Sequence, residues 1–483
     1  MAEDFAGADR NAGRMAQSAG LGVRSFDLRK TGRSGKHSCS IITHKGDEMM
    51  KNFLDAIHER VLLYDGSKGV MLQRRGLKGN EASESWNLSK PDEVKNLYNL
   101  YKQAGSDVIQ TNTFPGNRVT LDMHNLGDKT YQLNFEGVKL AKEIAGDDTY
   151  VAASVGPTGM ILEPAGDLSF DKAYSIFKEQ LRAIEDAGAD IVNFETFSDL
   201  NELRAAILAA KETTSLPIIA SITFNENSRT LSGNSAEVCA IVCQSLGVAV
   251  VGANCSGGPD SLIEPIKKMH SVTSIPLTVK ANAGMPKLVN GEAVYEQKPE
   301  QFSAYTKDFV ENGVRLIGGC CGTTPEFISA IKKELDKIKT PDLELKSNST
   351  ITSAFNHLVL SKDKEYLVKK LSLKGNNAVE MLKNGDFYNL IGDYKSENMD
   401  YLLIDFGNMN EPFDVSGFTS NISFSIKKPL VIKSASTEIL DKFLRYYPGK
   451  VGVVLSDNTE ISLSQLKHYG ALILNEELEP ITN

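Results

Sequence analysis

Cys255 follows a short apolar run, and Cys320 and Cys321 stand side by side in a glycine-rich stretch further along. Adjacent side chains on a regular strand face opposite ways, so both can serve one site only if the chain breaks there. Gly318, Gly319 and Gly322 permit such a break. Three thiolates with an open fourth position match a catalytic zinc site rather than a closed structural one. Zinc held by three thiolates carries a net charge near minus one, which makes it a poor generator of hydroxide. A thiol entering the open position would instead lose its proton and gain nucleophilicity. That chemistry suits alkyl transfer to sulfur better than hydrolysis. Plainer readings stand beside it: Cys255 as a small buried apolar residue, and Cys320-Cys321 as a redox or inert pair. Cys239 and Cys243 lie four apart in the apolar, helix-like run 237–246 and read as core packing, while Cys39 falls in the N-terminal segment.

Elements able to bring these residues together recur from residue 50 onward. Short β-branched runs at 61–64, 107–111, 150–154, 190–194, 217–223, 249–253, 277–280 and 314–318 predict strands. Segments with helical apolar spacing separate them, among them 92–104, 171–187, 200–213 and 299–312. Eight strand–helix units over about 280 residues predict an α/β chain with a (β/α)8 TIM barrel. A doubly wound open sheet is the rival, but no Gly-rich dinucleotide fingerprint follows the first strand. The strands end in polar or reactive residues, including Asp65-Gly66, Asn112-Thr113, Glu195-Thr196, Asn254-Cys255, Asn282-Ala283 and Cys320-Cys321. In a barrel those ends share one rim, where the active site belongs.

The chain has 483 residues, 41% hydrophobic and 24% charged, enough for a barrel with appendages and a large core. A net charge of −9 argues against nucleic acid or an anionic membrane as the main partner. No run approaches a membrane span, and six cysteines in so long a chain suit a reducing cytoplasm better than a disulfide framework. Residues 1–49 lack apolar periodicity and read as a disordered leader or a misassigned start, with Met49 or Met50 as the true first residue. The barrel is expected over 50–338 and a polar linker over 339–352. A smaller partial α/β domain follows over 353–483, with strands at 401–405, 429–433, 451–455 and 471–474.

Taken in order, the motifs Asp65-Gly66, Thr111-Asn112-Thr113-Phe114, Gly156-Pro157-Thr158-Gly159, Phe194-Glu195-Thr196-Phe197-Ser198-Asp199, Asn254-Cys255, Asn282-Ala283-Gly284 and Gly318-Gly319-Cys320-Cys321-Gly322-Thr323-Thr324-Pro325 resemble the homocysteine S-methyltransferase family. The likeness is strongest to the homocysteine-binding barrel of cobalamin-dependent methionine synthase. It covers roughly residues 53–337. The resemblance implies zinc on Cys255, Cys320 and Cys321, and homocysteine as the thiol that becomes methionine. Asp65 and Glu195 would hold its amino-acid end, although Asp65 could simply order its turn and Glu195 could pair with a basic neighbour. Asn282 would lend its amide oxygen to the metal, or serve as a turn residue. Backbone amides near 156–159 and 256–258 would receive the substrate carboxylate. The methyl donor implied is methylcobalamin on a partner corrinoid protein or a methylated folate, with betaine or S-methylmethionine used by other members. The one tryptophan, Trp86, gives an aromatic cage for betaine little support. Other readings are methyl transfer to a different thiol or to selenium, and a non-catalytic zinc subunit that docks a corrinoid protein.

Two departures stand out. Lys68 occupies a position near the rim that is apolar in the family, and Ala281 replaces the proline usual before Asn-Ala-Gly. Residues 382–450 resemble the opening of a pterin-binding barrel, with Asp405-Phe406-Gly407 and Ile432-Lys433-Ser434 in place of the family's acidic and amide residues. This implies a truncated relative with a scaffolding or docking role.

Overall fold

The computed structural model describes residues 50–289, 292–395, 398–409, 411–455 and 461–481. The expected leader, 1–49, lies outside them. Eight strands form one parallel sheet: β1 (Leu62–Leu63), β2 (Val108–Gln110), β3 (Tyr150–Val155), β4 (Ile191–Phe197), β5 (Ile218–Ile222), β6 (Val250–Cys255), β7 (Leu277–Ala281) and β8 (Val314–Gly319). Their spatial order is β1-β8-β7-β6-β5-β4-β3-β2. A parallel bridge between Tyr64 and Val108 joins the two ends, and the sheet closes into the expected TIM barrel.

The helices between the strands form the outer layer. Four of them, Pro91–Gln103, Pro259–His270, Pro299–Ser303 and Pro325–Leu335, begin on a proline, which lacks the N–H that a first helical turn cannot pair. Another, Leu200–Thr213, is capped by Asp199, whose carboxylate accepts the N–H groups of Asn201 and Glu202 at 2.8 and 2.9 Å. The expected helix over 299–312 is two shorter ones, Pro299–Ser303 and Thr306–Glu311.

Inside the barrel, the two-residue alternation of each strand sorts apolar from polar. Leu62, Tyr64, Val108, Tyr150, Ala152, Ile191, Ile219, Val250 and Leu316 form a buried cluster with Phe53, Ala56 and Ile57 of the helix Phe53–Glu59, which closes the floor. Two or four residues further along the same faces come Gln110, Ser154, Glu195, Ser221 and Asn254, all buried. The interior thus turns from apolar to polar toward the strand ends, where the cysteines lie.

A second parallel sheet follows, with strands in sequential order: β9 (Val368–Ser372), β10 (Tyr401–Gly407), β11 (Leu430–Ser434), β12 (Gly452–Val454) and β13 (Leu472–Leu474). Four of these match expectation. The fifth, β9, carries lysines at two of its five positions and gave no apolar signal. The polar linker also needs correction at its end. Thr350–Thr352 pairs with His357–Val359 as a hairpin, and the Thr352 N–H donates to the Lys450 carbonyl at 2.8 Å. Polarity alone hid a β-branched strand.

The second sheet docks through helix ends. Buried Arg204, on the helix Leu200–Thr213, donates to the Leu444 carbonyl at 2.9 Å, near the end of the helix Thr437–Tyr446. Lys211 donates to the His468 carbonyl at 2.6 Å, at the end of Leu463–His468. Cations at helix C-termini complement both unpaired carbonyls and the helix dipole. No helix among the described residues is long and apolar enough to cross a membrane.

Candidate metal centre

Cys255, Cys320 and Cys321 come together at the barrel rim, their sulfurs all within 4.8 Å of one another. Among the described residues they are the one group of three potential metal ligands. The Cys255 and Cys320 sulfurs are 3.6 Å apart, and those of Cys255 and Cys321 are 4.0 Å apart. A tetrahedral metal with bonds of about 2.3 Å would place its sulfurs about 3.8 Å apart, and both of these separations suit zinc. By contrast, Cys239 and Cys243 are buried in the core, as expected.

The backbone bends to allow this meeting. On β6 the inward position falls on Asn254, so a regular strand would turn Cys255 away from the interior. Instead Cys255 and Ser256 adopt positive φ, 62° and 56°, a left-handed conformation unusual for non-glycine residues. After β8 the chain leaves the sheet at Gly319. The Cys320 N–H then donates to the Ala281 carbonyl at 2.7 Å, and the Ala283 N–H to the Cys321 carbonyl at 2.9 Å. Gly322, at φ 78°, completes the turn. A Cβ there would meet the Tyr295 ring at 2.3 Å, so the position requires glycine on two counts.

Neighbouring groups tune the sulfurs. Hydrogen bonds from Cys255 and Cys320 hold the Cys321 thiol well below its ordinary range, and Tyr295 adds to the effect. The same contacts push Cys255 upward.

Asn254 has a role that its place in a motif did not reveal. Its side chain accepts the Thr196 N–H and donates to the Thr196 hydroxyl, both at 2.8 Å, and its amide nitrogen lies 3.9 Å from the Cys320 sulfur. It pins the positive-φ turn at Thr196 to the thiol cluster. The Asn282 amide oxygen accepts the Cys321 N–H at 3.1 Å.

A cavity of about 410 Å³ opens beside the sulfurs, and its wall includes Cys255, Cys320 and Cys321 together with Lys68, Gln110, Ser154, Glu195 and Lys280. Asp65 is fully buried behind this wall. One of its oxygens accepts the Gln110 N–H at 2.8 Å and pairs with the Lys68 ammonium. Burial pushes the Asp65 carboxyl up against the pull of Lys68, and it lowers the Lys68 ammonium in turn. Glu195 accepts hydrogen bonds from Gln110 and Ser154 and pairs with Lys280, whose ammonium also donates to Gln110 at 2.7 Å. Each acid expected to hold a substrate ammonium is thus already held by a lysine of this chain. Lys280 escaped the sequence reading, although a lysine on the inward face of a fully buried strand is itself a signal.

A model of the family described as homocysteine S-methyltransferase matches residues 62–335. The methionine synthase of Mycobacterium tuberculosis (strain ATCC 25618 / H37Rv) is 26% identical over 430 residues, covering 83% of this chain and 36% of that protein. The methionine synthase of Mycobacterium leprae (strain TN) is 31% identical over 300 residues, covering 58% of this chain and 25% of that protein. The chain therefore spans about a third or less of the length of these relatives. The oxidised form of the Escherichia coli homocysteine methyltransferase MmuM shares the fold, with a TM-score of 0.50 and 23% identity over 56% of this chain and 95% of that one. With more than half of its length matched, the chain belongs to the homocysteine S-methyltransferase family.

Proposed function

We propose that this chain binds one zinc ion through Cys255, Cys320 and Cys321 and methylates the thiol of homocysteine to give methionine. The observation that carries the reading is the set of three sulfurs within 4.8 Å of one another, two of the pairs near tetrahedral-edge spacing, facing a cavity large enough for a small amino acid. Zinc in such a site supplies a position at which a thiol is deprotonated at neutral pH. The protein's own part is positional. The turns at Thr196, Cys255 and Gly322 aim the sulfurs into the cavity. The strand ends hold the substrate so that its sulfur meets the donor in line.

The donor proposed is methylcobalamin carried by a corrinoid partner, or a methylated folate. An aromatic cage for betaine has little support: Phe114 is the one aromatic residue lining the cavity, and Trp86 is buried under the Lys90 ammonium. In the second sheet, Asp405 is engaged by Lys370 and Lys374, each at 2.9 Å, which favours scaffolding or docking over pterin binding. The test combines metal analysis with a donor panel of methylcobalamin, methyltetrahydrofolate, betaine and S-methylmethionine. The expected result is one zinc per chain and methionine from labelled homocysteine, with both lost in Cys320→Ala. Full activity in that variant would refute the mechanism. Zinc binding without activity on any donor would favour a non-catalytic docking subunit.

A further inference from the structure

Zwitterionic homocysteine offers a site two charged handles, an ammonium and a carboxylate. The cavity is poorly disposed toward the first. On Glu195, one oxygen accepts from both Gln110 and Ser154, and the other is taken by Lys280. Asp65 has an oxygen without a hydrogen-bond partner, but the residue is fully buried and does not line the cavity. An entering ammonium would have to share either acid with a lysine already paired to it, in surroundings almost out of water.

The second handle has a partner of opposite charge in the same lining. Lys68 lines the cavity on the side of Gly66, Ser67 and Gly69. Its ammonium pairs with Asp65 and donates to the Gly66 carbonyl at 3.2 Å, which occupies two of three N–H donors. The Asp65 pair fixes the head, and the Tyr101 ring, 5.6 Å from the nitrogen, backs it. The side chain is 11% exposed, so a bond formed there is shielded from water.

We propose that Lys68 is a specificity-determining residue that takes the carboxylate of the incoming thiol, so that this site reads the carboxylate and not the ammonium of its substrate. The inference rests on the thiol-binding reading given above. It replaces the backbone amides near 156–159 and 256–258 as the main carboxylate partner. It also accounts for Lys68 standing where the family's pattern is apolar.

The experiment is calorimetric binding of three thiols to the zinc-loaded full chain without a methyl donor: homocysteine, 4-mercaptobutyrate (no ammonium) and 3-aminopropane-1-thiol (no carboxylate). We expect 4-mercaptobutyrate to bind within about threefold of homocysteine, and the carboxylate-free thiol at least about tenfold more weakly, the worth of one charge-assisted hydrogen bond. The thiolate cluster alone would favour the cationic thiol, so the sign of the preference is diagnostic. Lys68→Met should erase the preference and Lys68→Arg should retain it. The double variant Asp65→Asn/Lys68→Met covers the case in which the single variant does not fold. Equal binding of all three thiols by the unaltered chain, or a preference that survives Lys68→Met, would overturn the proposal. Failure of every thiol to bind would instead remove the thiol site itself.

Discussion

In the barrel, eight parallel strands end on one rim that holds a cavity, whereas the five strands of the second sheet end along an open row. Both sheets are built from the same strand–helix repeat, and both place lysines beside acids at or near the strand ends. In the barrel the Lys280–Glu195 pair is almost dry, with side chains 2% and 6% exposed. In the second sheet Asp405 is buried, but Lys370 and Lys374 are more than half exposed. Closure makes the difference. A ring of strand ends walls out water, so a charge there must be fully paired and its partners are fixed. An open edge leaves charges solvated, loosely held and individually dispensable. The barrel's ion pairs are therefore part of a site, and those of the second sheet belong to a surface.

The contrast is open to test by removing one lysine from each sheet. Lys280→Met should destabilise the protein by about 3–5 kcal/mol in a denaturant titration, since it strands the Glu195 carboxylate in the interior. Lys280→Met/Glu195→Gln should recover most of that loss. Little loss in the single variant would mean that water reaches Glu195 and that the barrel end is open like the second sheet. Lys370→Met should cost less than about 1 kcal/mol, with Lys374 remaining on Asp405, and leave metal content unchanged. A large effect there would give the second sheet's edge a role beyond scaffolding.

Much of the barrel could be read from the chain because each strand combines a β-branched core with a reactive end, as in Val250–Cys255 and Val314–Gly319. Two-residue alternation allowed the need for a break at Cys320-Cys321 to be foreseen, and the turn after Gly319 supplies it. What stayed hidden was pairing across distance. Nothing near Glu195 in sequence announces Lys280, and nothing near Asn254 announces Thr196. Such partners depend on which inward faces meet across the closed sheet. β9 was missed for a different reason: its lysines sit on a strand half open to solvent, where burial leaves no apolar signature.

The central claim, a three-cysteine site that receives a substrate thiol, is tested most directly by zinc X-ray absorption on the purified chain before and after homocysteine. The account predicts three sulfurs at about 2.3 Å from the metal, rising to four when homocysteine is added. A sulfur count unchanged by homocysteine, or zinc retained with three sulfurs in Cys320→Ala, would contradict it.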